Sequence, residues 1–298
     1  MMHPLIDQHA EQLPVQRLCS LAGVPRASYY RGCKKPTDSS RPNDQVLQEI
    51  RRICEEMPSY GSPRVTAELR RRSYLVNHKR VSRLMRKANL NCRKKKRFIT
   101  TTDSRHGYRV YPNLAENIIP ERPDQLWRAD ITYVRLPHDF AYLAVILDAY
   151  SRLVVGWALS RHINAALTLE ALQMALATRT IAPGLTHHSD RGSQYACDEY
   201  VKVLLEHGIA ISMSRRGNPY DNAMAESFMK TFKVEEVYIN EYSGFAEAFA
   251  NIEHFIEIVY NQKRLHSSLG YRTPVEIEAE YTHRQAILAT PETVSAQG

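Results

Sequence analysis

Cysteine, glycine, proline and long apolar runs are all sparse in this sequence. The five cysteines are scattered and none forms a Cys-x-x-Cys pair, which argues against a disulfide framework and a cysteine-based zinc site. The 12 glycines and 15 prolines among 298 residues are too few for a long flexible linker. The longest apolar run, residues 140–147, is far shorter than the roughly 20 residues that a membrane-spanning helix needs. These absences exclude fibrous and transmembrane proteins and favour a globular chain of about two domains.

The amino terminus also lacks the features of a secretory signal. Residues 1–14 have neither a basic start nor an apolar segment. Together with the odd number of cysteines, which is typical of a reducing compartment, this predicts a cytoplasmic protein that makes no contact with a membrane.

Charge is distributed unevenly along the chain. Residues 1–110 contain 24 Lys and Arg against 9 Asp and Glu, whereas residues 111–298 contain 16 against 23. A strongly basic half indicates a polyanionic partner, because each cation placed on a phosphate releases condensed counterions. A solvated basic surface without a partner is the alternative that charge alone leaves open.

The basic half contains two helical patterns. In the first, apolar residues at helical spacing over residues 14–22 precede a turn at Gly23, and a second short helix begins at residue 26 or 27. This is the outline of a helix-turn-helix, although any small helical hairpin has the same pattern. In the second, residues 43–97 show three apolar stripes, which predict a three-helix unit.

The third helix of this unit has the composition of a DNA recognition helix. Basic residues surround a narrow apolar seam, and the run RKKKR, residues 93–97, follows and can lie along phosphates or reach a minor groove. The predicted DNA contacts are Lys79, Arg80, Arg83, Arg86, Lys94 and Lys95. The alternative is a solvated helical face followed by a flexible basic linker.

From residue 125 the pattern changes to short strands rich in aromatic and β-branched residues. The predicted elements are strands within 125–137, 140–150 and 151–160, a helix over 165–179, a strand ending at 187–190, a helix over 198–207, a strand over 209–213 and a helix from about residue 221. This order predicts an RNase H-like domain with a mixed sheet. The expected fold class is therefore α/β, preceded by all-α helix-turn-helix segments.

Three carboxylates lie at or near the ends of these elements. Asp130 is within the first strand, Asp190 closes the fourth, and Glu226 lies on the helix after the fifth. Converging carboxylates from separate elements suit Mg²⁺, which takes oxygen ligands and retains waters for a substrate phosphate. Spacing alone does not choose these three, because other acids compete, namely Asp124, Asp139, Asp148 and Asp221.

Four sequence motifs resemble those of a known family, and this resemblance selects Asp130, Asp190 and Glu226 from the competing acids. They are WRADITY (127–133), HHSDRGSQY (187–195), SRRGNPYDNAMAESFMKTFK (214–233) and YNQKRLHSSLGYRTP (260–274). The first three resemble the catalytic motifs of bacterial insertion-sequence transposases in the retroviral-integrase-like DDE superfamily. The 35 residues between Asp190 and Glu226 match the spacing of that superfamily. The fourth motif is similar to the C-terminal signature of the insertion sequence three group, second reading frame, and the resemblance covers about residues 13–280.

This resemblance implies a DNA strand-transfer enzyme with an integrase catalytic core. The enzyme would cleave DNA at the ends of its element and join the freed 3′-OH to a second site. Asp130, Asp190 and Glu226 would carry the catalysis and would hold two Mg²⁺ or Mn²⁺ ions.

The resemblance also implies supporting residues around the acids. Lys233 lies two helical turns after Glu226 and would meet a phosphate of the element end. Asn218, Asp221 and Asn222 match the family's loop before the helix of Glu226, and one of the last two would cap that helix. Further candidates for DNA contact are Trp127, His188 and Gln194, although Trp127 is favoured as a core residue.

Assembly on DNA is a further implication of the family. The partners would be double-stranded DNA, both element ends and target, and other copies of the chain in a homo-oligomer located at the nucleoid. A product of an upstream reading frame would be a partner or a fused segment. The expected organisation is a short helical segment (1–42), a basic three-helix DNA-binding domain (43–97), a linker (98–122), an integrase-like catalytic domain (123–280) and a tail (281–298).

Two other functions remain open from the sequence. An RNase H-like nuclease could use the same acids with water as its only nucleophile. A DNA-binding regulator could retain the fold without catalysing any reaction. The basic helices and the fourth motif favour the transposase over the nuclease, and the three intact acids favour it over the regulator.

Overall fold

The computed structural model describes residue 9 and residues 13–32, 40–90, 108–215 and 219–289. Three residues of the predicted sites, Lys94, Lys95 and Asn218, lie outside this described part. Within it, no helix is long and apolar enough to cross a membrane.

Two short helices form a separate small unit near the amino terminus. Helix α1 (Val15–Leu21) and helix α2 (Arg26–Gly32) are joined by a turn in which Gly23 has a φ of +63°. Glycine adopts this left-handed conformation without the steric cost of a Cβ atom. Cys19 and Tyr29 pack together as the core of the unit. The predicted helix–turn–helix outline is confirmed here.

The predicted three-helix unit is also confirmed. It consists of α3 (Ser40–Glu56), α4 (Ser62–Arg71) and α5 (His78–Lys87). Pro63 occupies the first turn of α4, where its missing N–H costs nothing, and Asn77 caps α5 by accepting a hydrogen bond of 2.8 Å from the backbone N–H of Lys79. The buried apolar face is formed by Val46, Ile50, Ile53, Val65, Leu69, Val81 and Met85.

The second half of the chain is built on a five-stranded mixed sheet. Its strands are β1 (Leu126–Arg135), β2 (Phe140–Asp148), β3 (Val154–Ser160), β4 (Thr186–Ser189) and β5 (Ala210–Met213). They lie in the order β3-β2-β1-β4-β5, with β1, β2 and β3 antiparallel and β1, β4 and β5 parallel. This is the predicted RNase H-like arrangement.

Helices cover both faces of this sheet. They are α6 (Ala165–Thr178), α7 (Ser193–Ala196), α8 (Asp198–Glu206), α9 (Ala223–Phe232), α10 (Phe245–His254) and α11 (Pro274–Ala289). One core lies between the sheet and α6 to α8, and the other lies between the sheet and α9 and α10. On the first face, α6 approaches β3 so closely that a Cβ atom on Gly156 would lie 2.2 Å from the carbonyl oxygen of Ala171.

The carboxyl-terminal helices are not regular α-helices throughout. Helix α10 ends at His254, and residues Phe255–Lys263 continue as a π-helix; a second π-helical segment, Lys233–Val237, follows α9. A wider turn rotates the side chains that follow it, and the spacing of apolar residues in the sequence does not reveal this change. Helix α11 runs past residue 280, the predicted end of the catalytic domain.

The three-helix unit packs directly against the catalytic half. Tyr60 is buried, and its hydroxyl accepts a hydrogen bond of 2.7 Å from the backbone N–H of Leu265. The guanidinium of Arg64 donates to the carbonyl oxygen of Leu265 at 3.1 Å, and the Leu265 side chain belongs to the core of the three-helix unit. The motif over residues 260–274 therefore joins the two parts of the molecule.

Candidate active site

Asp130 and Asp190 occupy matching positions on two adjacent parallel strands. Arg128 of β1 pairs with His188 of β4, and each Asp follows two residues later on its own strand. Side chains two residues apart point to the same face of a sheet, and neighbouring strands lie about 4.8 Å apart. Asp190 is the first residue after β4, so the two carboxylates lie side by side at the point where β4 ends.

Each of the two carboxylates is held by a backbone N–H. The N–H of Ile131 donates to Asp130 at 2.9 Å, and that of Gly192 donates to Asp190 at 2.8 Å. A Cβ atom on Gly192 would lie 3.0 Å from the Asp190 carboxylate and 3.1 Å from the side-chain oxygen of Gln194. Glycine at this position thus leaves space for the acidic side chain.

Glu226 reaches this site from helix α9, which is attached to β1. Asn222 stands at the N-cap position of α9, and its side-chain amide donates a hydrogen bond of 3.0 Å to the carbonyl oxygen of Ala129, the residue before Asp130. Arg128 also donates to the main-chain oxygen of Asp221. These contacts fix the beginning of α9 beside Asp130, and Glu226, in the first turn, is exposed on it.

The predicted capping of α9 by Asp221 or Asn222 is wrong. In the part of the chain that the structure describes, the Asn222 side chain at the N-cap position makes no capping hydrogen bond to this helix. The amide of Asn222 is used on β1, and the carboxylate of Asp221 accepts from the backbone N–H of Arg215 at 2.8 Å and from its guanidinium at 2.9 Å. The guanidinium of Arg215 lowers the pKa of Asp221 to about 2. Both residues support the site by anchoring the loop before α9.

The acids influence one another electrostatically. Burial, followed by the negative charge of Asp190, raises the pKa of Asp130 to about 7, and Glu226 adds to the shift. The charge of Lys233 opposes it, and the ammonium of Lys233 lies 4.1 Å from the centre of the Tyr133 ring. Burial lowers the pKa of Lys233, while the charge of Asp130 acts in the opposite direction.

This donor set fits a hard divalent cation. The three acids offer only oxygen atoms, and their mutual repulsion is what a bound cation would relieve. Among the described residues, no three His, Cys, Asp or Glu side chains already surround a common point closely enough to hold an ion.

The neighbouring histidines are engaged in the core. The ring nitrogens of His188 lie 2.8 Å from the Ser212 hydroxyl and 3.0 Å from that of Ser214. His187 contacts the Tyr200 hydroxyl at 2.9 Å. Burial lowers the pKa of both rings, to about 3 for His187 and about 4 for His188, so both are neutral supports of β4. The expectation that His188 contacts DNA is therefore wrong, because the side chain is fully buried.

Trp127 and Tyr195 complete the buried surroundings. Trp127 is a core residue, as favoured, and its indole N–H donates to Asp124 at 2.9 Å. Tyr195 was not singled out by the sequence analysis, yet it is buried beside both Asp130 and Asp190, whose charges contribute to raising its pKa. Its hydroxyl has no hydrogen-bond partner among the described residues. Its place five residues after Asp190 in the HHSDRGSQY motif is the signal that could have identified it.

The predicted recognition helix α5 presents most of its basic residues to solvent. Lys79, Arg83 and Arg86 are exposed. Arg80 is half-buried and donates from Nε and Nη2 to the side-chain oxygen of Asn43 at 3.0 and 2.9 Å. Arg80 therefore helps to hold α5 on α3 in addition to any contact with DNA.

Comparison with known families agrees with this geometry. Two family models described as "Integrase core domain" match residues 120–219 and 207–274, and one described as "HTH-like domain" matches residues 41–98. The chain is 37% identical over 272 residues to the uncharacterized 31 kDa protein of insertion element IS600 from Shigella sonnei, covering 90% of this chain and 100% of that protein. It is 33% identical over 288 residues to transposase InsF of insertion sequence IS3A from Escherichia coli strain K12, covering 93% of this chain and 98% of InsF.

The chain belongs to the IS3 family of insertion-sequence transposases. It is accordingly a DDE transposase, an enzyme of the polynucleotidyl transferase class with an integrase core. Among solved structures, the catalytic core domain of BIV integrase aligns with a TM-score of 0.43 at 20% identity, over 55% of this chain and 99% of that one.

Proposed function

We propose that this transposase cuts and joins DNA with Asp130, Asp190 and Glu226 as its catalytic carboxylates. The observation that carries the proposal is the matched register of Asp130 and Asp190 on β1 and β4, with the helix of Glu226 anchored beside them by Asn222. We propose that these three acids hold two divalent ions, Mg²⁺ or Mn²⁺. When bound, such ions would lower the pKa of the attacking water or hydroxyl and would stabilise the negative charge on the leaving oxygen.

Two in-line displacements at phosphorus would occur at this one site. In the first, water attacks the phosphodiester at the element's terminus, the P–O bond to the 3′ oxygen breaks and a 3′-OH is freed. In the second, that 3′-OH attacks a target phosphodiester and displaces another 3′ oxygen. One bond to phosphorus is formed and one is broken in each step, so neither step needs ATP or a covalent bond to the enzyme.

Lys233 would position a phosphate of the element end during both steps. Its half-buried ammonium lies over the Tyr133 ring and is influenced by Asp130, so its charge is directed towards the acids. A cation held at the edge of a metal-binding acidic site can pair with a phosphate oxygen.

The HTH-like domain would bind DNA through α5. Lys79, Arg83 and Arg86 would reach the major groove or the adjoining phosphates, Arg80 would share its guanidinium with Asn43, and Lys94 and Lys95 would extend the contact. We propose that the chain acts as a homo-oligomer on paired element ends, at the nucleoid in the cytoplasm. A product of an upstream reading frame would join this assembly as a partner or a fused segment.

A strand-transfer assay tests this proposal. Purified protein is incubated with labelled duplexes that carry the element's ends, with Mg²⁺ or with EDTA, beside the variants Glu226→Gln and Glu253→Gln. Glu253 is an exposed acid of α10, so its variant controls for the loss of one surface charge.

Joined products in the presence of Mg²⁺ are expected from the wild type and from Glu253→Gln but not from Glu226→Gln. Cleavage without joining would overturn strand transfer in favour of hydrolysis alone. Joining by Glu226→Gln at the wild-type rate would overturn the assignment of the catalytic carboxylates.

A further inference from the structure

A small polar cavity lies where the HTH-like domain meets the catalytic core. Its volume is about 100 Å³, enough for several water molecules or one tetrahedral anion. Its walls come from α4, the turn between β2 and β3, helix α9 and the motif over residues 260–274. Ser227 and Ser267, both exposed, form part of its mouth. Ser227 follows Glu226 directly on α9, so the cavity and the candidate active site share this helix.

Three arginines from three separate segments line this cavity. They are Arg64 of α4, Arg152 of the β2–β3 turn and Arg264. Arg264 is fully buried and is paired with Glu235 through two hydrogen bonds of 2.8 Å. Arg64 lies 3.6 Å from the same carboxylate. One carboxylate therefore serves two of the three guanidiniums.

Arg152 is the exception among the three. Its backbone N–H donates to the carbonyl oxygen of Asp148 at 2.9 Å, but its half-buried guanidinium makes no hydrogen bond or ion pair with any residue that the structure describes. Asp148 is the carboxylate whose charge acts on the Arg152 guanidinium, but it forms no ion pair with it. The Asp148 oxygens accept hydrogen bonds from the backbone N–H groups of Asp124, Tyr150 and Ser151. Its backbone has a φ of +65°, a conformation that a residue with a side chain adopts at a cost. The fold thus places an uncompensated cation at this wall.

The cavity has a positive potential. Burial, then the charges of Arg264, Arg64 and Arg152, lower the pKa of the cavity-lining His266 to about 3. Neutral hydrogen-bond donors, the hydroxyls of Ser227, Thr231 and Ser267 among them, supply the rest of the wall. Guanidinium groups with hydroxyl donors form the ordinary protein environment of a phosphate group.

We infer that this cavity binds one backbone phosphodiester of the substrate DNA, with Arg152 as its principal cation. The inference rests on the proposed function, because the ligand is the DNA strand that passes the active site. A phosphate held there would touch the HTH-like domain through Arg64 and the catalytic core through Arg152 and Arg264. It would therefore fix the recognition helix relative to Glu226 when DNA is bound.

The test is the salt dependence of DNA binding. Binding of a labelled element-end duplex is measured by fluorescence anisotropy in EDTA, between about 50 and 200 mM salt, so that the result does not depend on catalysis. Arg152→Gln is compared with Arg152→Lys, which retains the charge. The matched control is Arg284→Gln, which removes an exposed arginine of α11 that pairs with Glu280.

Arg152→Gln is expected to weaken binding roughly tenfold and to reduce the slope of log affinity against log salt by about 0.9, the contribution of one phosphate. Arg152→Lys should restore most of the slope, and Arg284→Gln should leave it unchanged. Neutral methylphosphonate substitution at one position of the duplex should weaken wild-type binding and have no further effect on Arg152→Gln. Equal slopes for the wild type and a folded Arg152→Gln would overturn the inference.

Two further measurements keep the test decisive. If Arg152→Gln does not fold, Ser267→Glu is used instead, because it places a negative charge at the mouth of the cavity. It should weaken DNA binding about tenfold relative to the isosteric Ser267→Gln. Equal DNA affinities of these two variants would overturn the inference. If inorganic phosphate raises the melting temperature of the wild type more than that of Arg152→Gln while their DNA slopes coincide, the cavity is a free-anion site and the DNA contact is wrong. Strand transfer measured in parallel separates these outcomes from failure of the proposed function.

Discussion

The side-chain amide of Asn222 donates its hydrogen bond to the carbonyl oxygen of Ala129, so the helix that carries Glu226 is fastened to the strand that carries Asp130. Both residues are buried, and the contact lies one residue before Asp130, the first of the proposed catalytic acids. The geometry between two acids on different elements therefore depends on a neutral residue between them. Residues of this kind act by positioning the groups that touch substrate.

Replacing Asn222 with Ala should strongly reduce the rate of strand transfer and only slightly reduce the free energy of unfolding. The lost hydrogen bond allows the start of α9 to move, and a displacement of about 1 Å at a catalytic group can lower the rate on the order of 100-fold. The rate constant should fall while the affinity for DNA stays within about twofold of wild type.

Asn164→Ala is the matched control for this variant. Asn164 caps α6 by accepting from the backbone N–H of Leu167 at 3.2 Å, so its loss should cost about 1 kcal/mol of stability and little activity. Equal losses of activity in the two variants would show that Asn222 has only a general structural role.

Divalent metal ions should stabilise the wild-type protein against unfolding. At a concentration ten times the dissociation constant, binding to the native state adds about 1.4 kcal/mol. The shift should be present in Glu253→Gln and absent in Asp130→Asn, because only the latter removes a proposed ligand. Thermal unfolding with Mg²⁺ and with EDTA measures it, and a shift of wild-type size in Asp130→Asn would contradict the proposed metal site.

The fold was largely predictable from local patterns. Short runs rich in aromatic and β-branched residues identified the strands, and the turns between β1, β2 and β3 are short enough to specify antiparallel neighbours. The π-helical turns at Lys233–Val237 and Phe255–Lys263 were not predictable, because an added residue per turn leaves no mark on composition. Nor was the docking of Tyr60 on Leu265, which joins residues about two hundred positions apart.

Only the resemblance selected the three proposed catalytic acids. Asp124, Asp139, Asp148 and Asp221 were equal competitors by residue type, and the structure gives each a structural partner: the Trp127 indole, the Arg161 guanidinium, backbone N–H groups and Arg215, respectively. The cluster of Arg64, Arg152 and Arg264 could not be inferred, because its members come from three distant segments that only the tertiary fold brings together.

The buried ring of His266 should make stability depend on pH. Burial lowers its native pKa to about 3, whereas an unfolded histidine titrates near 6.5. As the pH falls below 6.5, the unfolded chain binds a proton that the native state does not, so this group lowers stability towards acid. His266→Gln removes that contribution.

The free energies of unfolding of the wild type and His266→Gln should therefore converge on acidification. The variant is expected to be the less stable at pH 7.5, because its side chain no longer packs edge-to-face on Tyr260. Its deficit should shrink by about 1.4 kcal/mol at pH 5.5, one unit below the unfolded pKa. Urea titrations at the two pH values measure this, and a constant difference would show that the native histidine also takes up the proton.

The attachment of the HTH-like domain should depend on the hydroxyl of Tyr60. Tyr60→Phe keeps the ring but leaves the buried N–H of Leu265 without its acceptor, which should cost about 1–3 kcal/mol. Urea unfolding measures the loss, and hydrogen exchange at the Leu265 amide should accelerate by the corresponding factor. Tyr74→Phe is the matched control, since it removes the same group in the same domain from a side chain with no hydrogen-bond partner among the described residues. If the two variants unfold alike and the Leu265 amide remains protected, the two parts of the molecule are held together by apolar packing rather than by this hydrogen bond.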